Sequence, residues 1–106
     1  MVHVDILRIV DDGNPGWVEC RLVDALGQSH TFTEKIPVVT EEDLWHDSAY
    51  PCAGSVACEV VKRWQDETGR VLCEINTEQP WFLESKEGKT SFVVLGSQVA
   101  EVPASR

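Results

Sequence analysis

GSVACEVVKRW (54–64), QDETG (65–69) and RVLCEIN (70–76) decide how this chain is read. Val56, Cys58 and Val60 alternate with Ala57, Glu59 and Val61, and Val71, Cys73 and Ile75 alternate with Leu72 and Glu74. Two apolar runs of period two around a short turn ending in glycine are the sequence form of a β-hairpin. The hairpin is expected to sit at the centre of a small all-β domain.

The flanking sequence repeats the pattern. VHVDILRIV (2–10) puts Val2, Val4, Ile6 and Val10 on one parity, with Arg8 the exception, and predicts a first strand. DDGNPG (11–16) favours a turn, because Gly and Asn tolerate positive φ and Pro fixes it. Residues 17–23 predict a second strand with Val18, Cys20 and Leu22 inward, DALGQ (24–28) a turn, and residues 29–35 a third strand. Pro37 marks a strand end or an edge. Thr40 followed by Glu41, Glu42 and Asp43 resembles a helix N-cap with acids in the first turn, which predicts one short helical turn over 41–46, stopped by Tyr50 and Pro51. After the hairpin come a polar link (77–80), a short strand (81–84), the turn KEGK (86–89) and the β-forming run TSFVVL (90–95). Residues 99–102 are expected to extend an edge, and 103–106 to form a frayed tail. Six to seven short strands with turn signals about every ten residues predict a small antiparallel β-barrel in one domain over 1–102.

Length and charge bound the function. At 106 residues the chain has the size of one domain and is expected to bury roughly 65% of its unfolded surface. The net charge of −9 opposes contact with nucleic acid or an anionic membrane, which need basic surface, so neither is expected as a partner. No apolar run approaches the ~18 residues of a membrane span. Asp5, Arg8, Asp11, Asp12 and Glu19 are unlike a secretory leader, so a cytoplasmic location is the expectation. Free thiols are then expected at Cys20, Cys52, Cys58 and Cys73, three of them at inward strand positions.

Three runs, FTEKIPVVT (32–40), YPCAGSVACEVV (50–61) and WFLESKEGKTSFVV (81–94), resemble a family of small bacterial proteins known as hypothetical open reading frames. The resemblance spans residues 16–99 and implies a bacterial source and a short β-rich domain. It brings no activity, cofactor or catalytic residue.

Motifs of catalysis are sparse. His46, Cys52 and Cys58 lie too far apart in sequence for the usual paired spacing of a zinc site, and no metal or cofactor is expected. His46, Asp47 and Ser48 are adjacent, whereas triad members converge from separate elements. Cys52 sits among acids that oppose a reactive thiolate. Glu34, Glu59, Glu74 and Glu84 are scattered, with Glu59 and Glu74 expected as outward neighbours on paired strands near Lys62, Arg63 or Arg70. The aromatic residues are more informative. Between 41 and 54 the chain carries four acids and no Lys or Arg, and Trp45 and Tyr50 stand among them. An aromatic anchor in a charged rim has the composition of a binding hot spot. The expectation is therefore a non-enzymatic protein-interaction module docking a basic protein through Trp45, Tyr50, Glu41, Glu42 and Asp43, in one form an inhibitor or immunity-type protein. One rival is a small-molecule-binding barrel with its pocket at Trp17, Trp64 and Trp81. Another is a weak hydrolase using Cys52 or a carboxylate such as Glu84.

Overall fold

Among the described residues, fourteen buried apolar side chains form a single cluster, twelve of them from strands that pair in two separate sheets. The structure, a computed structural model, describes residues 1–100. Its elements are β1 (Val2–Asp11), β2 (Trp17–Val23), β3 (Ser29–Lys35), a single helical turn α1 (Ile36–Val39), β4 (Cys52–Val56), β5 (Glu59–Gln65), β6 (Val71–Asn76), β7 (Ser91–Leu95) and a 3-10 turn (Gly96–Gln98). The first four strands form one antiparallel sheet in the order β3-β2-β1-β4, and the last three a second in the order β5-β6-β7. Among the described residues, no ladder between these strands closes the two sheets into one barrel.

The reason lies inside the run that organises the sequence. Residues 54–64 are not one strand. β4 ends at Val56, and the chain passes through Ala57 and Cys58 before β5 begins at Glu59 in the other sheet. The hairpin itself is present as β5–β6, with Trp64 opposite Leu72 and Arg63 opposite Cys73. Alternation holds through the crossing as far as Cys58, which packs against the same core as the fully buried Val56, but not at Val60, which is exposed. The division also supplies a seventh strand, since residues 81–84 form no strand. There Thr77 is buried, its hydroxyl donates to the carbonyl oxygens of Leu83 and Thr90, and the segment folds into a loop.

In β1 the sequence pattern carries a defect that the backbone explains. Val2, Val4 and Ile6 are fully buried, but the register slips at Leu7, so that Arg8 pairs with Glu19 outside and Ile9 with Val18 inside. An extra residue reverses the parity of everything after it. Arg8 is therefore no longer an exception: its Nε donates to Glu19 Oε1 at 3.0 Å. Beyond a second slip, Val10 is exposed rather than inward.

Three loops share one construction, D-x-x-G-Q, D-x-x-G-R and S-x-x-G-K. Asp24 Oδ1 accepts from the amides of Leu26 and Gln28, and Asp66 Oδ1 from those of Thr68 and Arg70. Ser85 Oγ accepts from the amide of Lys89. The glycines adopt φ of 84°, 87° and 82° at Gly27, Gly69 and Gly88, a region closed to most side chains. The first two join β2 to β3 and β5 to β6, the usual place for a turn followed by a left-handed residue, while the third lies within the connection from β6 to β7.

The helical turn does not lie over 41–46. It occupies Ile36–Val39, with Pro37 in its first turn, where the missing amide hydrogen costs nothing. Thr40 ends this turn, its amide donating to the Ile36 carbonyl, and its Oγ1 accepts from the Glu42 amide. The acids thus follow the turn instead of capping it. The turn packs under β4: a Cβ on Gly54 would lie 2.8 Å from Ile6 Cδ1 and 3.0 Å from the Val39 carbonyl oxygen. Val99 bridges to Val2 and the Ala100 amide donates to the Met1 carbonyl at 2.8 Å, while residues 101 and 102 of the expected edge and the whole of the expected tail at 103–106 lie outside the described residues.

Gly54→Ala is expected to destabilise the fold by about 1–3 kcal/mol, because the Val39 backbone cannot yield as a side chain can. Urea denaturation checks it, and an unchanged midpoint would contradict this packing.

Candidate functional site

The segment between α1 and β4 presents most of the residues singled out for partner binding. Glu41, Glu42 and Asp43 are exposed, and Trp45 is 66% exposed. The backbone beneath Trp45 is held from several directions. Its amide donates to Ser48 Oγ at 2.9 Å, its carbonyl accepts from the Ser48 amide at 3.1 Å, and Tyr50 Oη donates to the same carbonyl at 2.6 Å. Tyr50 is half-buried against the core, so it acts as a strut for Trp45 rather than as a second exposed anchor.

Two clefts flank this segment. One, about 280 Å³, has Ile9, Ile36 and Leu44 in its wall and Trp45, Asp12 and His46 at its mouth. His46 Nε2 lies 3.0 Å from Asp12 Oδ2, and both side chains are largely solvent-exposed. The other, a groove of about 540 Å³, is lined by Pro37–Glu42, the β4 residues Ala53–Ser55, Met1 and Trp81. Glu41 and Glu42 thus meet an indole 40 residues away in sequence. Trp81 is 55% and Phe82 59% exposed. Phe82 has φ of 52°, an unusual conformation for a bulky residue, with Leu83 buried directly after it.

The tryptophans expected to share a pocket are dispersed. Trp17 pairs with Lys35 across β2 and β3 and lies 5.6 Å under its ammonium, and Trp64 is similarly covered by Lys62 at 5.3 Å. Trp64, Leu72 and Leu95 form one cross-strand row, and Leu72 is nearly buried although it points away from the main core. Trp64 is therefore a cover for the back of the second sheet. Neither Trp17 nor Trp64 lines either cleft. Trp81 alone of the three reaches a groove.

The reactive side chains are placed for structure. All four cysteines are free thiols. Burial pushes Cys20 up to about 12 and raises Cys52 and Cys58, with Glu42 adding to the effect at Cys52. A thiolate nucleophile at Cys52 is disfavoured accordingly. Among the described residues no three of His, Cys, Asp and Glu converge as metal ligands. Glu74 stands opposite Lys62 and Glu59 opposite Asn76, so these two carboxylates are not neighbours. Glu34 is raised by burial.

One pair had no signal in the spacing of the sequence. His30 is buried at the inner face of β3, with Nε2 2.8 Å from Asp24 Oδ2 and its ring edge-on to Phe92 at 5.0 Å. Burial alone would raise Asp24, but bonds from His30, Gln28 and Leu26 outweigh it and hold the carboxyl below its ordinary value. The pair fixes the β2–β3 turn, whose Ala25 amide donates to the Val93 carbonyl of the other sheet at 2.9 Å.

No family model matches this chain, and neither a curated protein nor a solved structure matches it.

Tyr50→Phe is expected to speed hydrogen exchange at the Ser48 amide while lowering global stability by only about 0.5–1.5 kcal/mol. Unchanged exchange would show that Trp45 does not depend on the strut. Asp24→Asn is expected to cost about 1–3 kcal/mol at neutral pH. Because the folded carboxyl is lowered, its contribution is complete above about pH 4 and disappears as pH falls through the folded value. The variant's melting temperature should therefore fall less than the parent's on acidification, as thermal scans across pH would reveal.

Proposed function

We propose that this chain is a non-enzymatic protein-interaction module that binds a basic protein, in its most concrete form an inhibitor or immunity-type protein. The observation behind the reading is Trp45, a largely exposed indole on a hydrogen-bonded loop, within a segment from 36 to 61 that contains no Lys or Arg. A large aromatic already held in place loses little freedom on binding, which favours affinity. The surrounding carboxylates speed encounter with a positively charged partner and penalise an acidic one. Glu41, Glu42 and Asp43 supply that rim, and Trp81, which lines the groove, and the exposed Phe82 beside it add aromatic surface. A bacterial cytoplasmic setting belongs to the same proposal; the bacterial part rests on the three sequence runs and the cytoplasmic part on the four unpaired thiols.

The proposal includes a barrel-like closure of the two sheets. Its support is the Ala25–Val93 bond, the Lys86 amide bonded to the Thr31 carbonyl at 2.8 Å, and the Val2–Val99 bridge, which tie margins of one sheet to elements around the other. A second reading, small-molecule binding, is favoured by the apolar cleft under Trp45 with its Asp12–His46 pair.

Affinity capture at low salt should retain a basic protein that elutes as salt rises. Trp45→Ala should weaken that complex by roughly 30-fold or more, the loss typical of a hot-spot aromatic. Neutralising Glu41 and Glu42 should mainly slow association. A complex indifferent to salt and to Trp45→Ala would end this reading.

A further inference from the structure

A two-sheet fold has four edge strands, and here they differ. β3 has its Thr31 carbonyl taken by the Lys86 amide, and β7 has its Val93 carbonyl taken by the Ala25 amide. Among the described residues no backbone bond from another element reaches the outer edge of β4 or β5. β5 is blunted in the usual ways: its register slips at Val61, and Lys62 and Arg63 follow at once. β4 is not. It pairs with β1 through five consecutive residues, Cys52 to Val56, without a slip, and it carries no charged side chain. A regular, uncharged, uncovered edge is a template for another strand.

That edge also borders a groove of suitable chemistry. Ala53, Gly54 and Ser55 form part of its wall, and Val38, Val39 and Trp81 line it further. The Met1 side chain reaches it, with Sδ accepting from Ser55 Oγ at 3.7 Å, while the Met1 ammonium is taken up by the Ala100 carbonyl. Among the described residues its charged side chains are Glu41 and Glu42, and no Lys or Arg lines it. We infer that β4 receives an extended, lysine- or arginine-bearing segment of a partner protein as a fifth strand of the first sheet. This rests on the interaction reading above and narrows it from a docking face to a mode of binding. The alternate backbone groups of β4 that point away from β1 supply main-chain hydrogen bonds. Trp81 provides an apolar contact and the two carboxylates select a basic side chain.

The test uses the full chain and an acetylated, amidated hexapeptide alternating Lys and Val, with a Glu–Val peptide as its control. Hydrogen exchange followed by NMR should slow at alternate amides within 52–56 when the Lys–Val peptide is added, and the Trp81 indole resonance should shift. The Glu–Val peptide should do neither. N-methylation of alternate Lys–Val residues, which removes donors while keeping charge, should weaken binding by about tenfold or more. Glu41→Gln and Glu42→Gln should each weaken it by about two- to fivefold. Binding that perturbs 41–45 but leaves exchange in 52–56 unchanged, or that survives N-methylation, overturns strand addition and leaves the acidic docking face standing. Protection over 59–65 instead overturns it in favour of β5. No response to either peptide overturns both the strand addition and the basic-partner reading.

Discussion

The chain leaves one sheet for the other within two residues, and the architecture depends on that step. Val56 is the last residue hydrogen-bonded beside β1, and Glu59 the first beside β6. Ala57 and Cys58 span the change while Cys58 stays against the core. The crossing lets the sheets face each other over Ile6, Phe32, Ile75 and Val94, all fully buried. Each such side chain contributes about 1.5–3 kcal/mol through removal from water, so the shared interior outweighs any single polar contact on the surface.

What the sequence disclosed follows from what alternation encodes. Parity tells which side chains face a dry interior, and it placed Val4, Val18, Cys20, Leu22, Cys73 and Ile75 inside. It does not tell which strand lies alongside, so a run that stays in phase from Val56 to Val60 conceals a change of sheet. A slip such as that at Leu7 shows in sequence only as a misfit, Arg8. The glycines of the three D/S-x-x-G loops were legible because only a residue without a side chain sits easily at their φ. The helical turn was misplaced because Thr40 with its acids has the composition of an N-terminus, while Pro37 lies in the first turn of a helix that starts five residues earlier, at Ile36.

The candidate site was legible in its parts and not in its assembly. Trp45 and the acids at 41–43 stood out as an aromatic in a cation-free stretch, and they are exposed. Tyr50 looked like a second anchor, yet its hydroxyl is spent on the Trp45 carbonyl. No local pattern could join Glu41 and Glu42 to Trp81, because that neighbourhood is made by the packing of the 77–85 loop. Nor could it show that Trp17 sits under the Lys35 ammonium, which depends on cross-strand register, or Trp64 under that of Lys62 on the same strand, which depends on side-chain direction.

The self-bonded aspartate loops carry a consequence for how the molecule assembles. β2–β3 and β5–β6 each close over a handful of residues, around a turn that needs nothing from the rest of the chain. β1 finds β4 only when Val2 meets Val56 across half the molecule. Chain entropy penalises the long closure more than the short ones, and distant pairings are slow for that reason. Acquisition of order is thereby biased from the two hairpins toward β4, and the strand with the least local support is also one whose outer edge no other described element bonds.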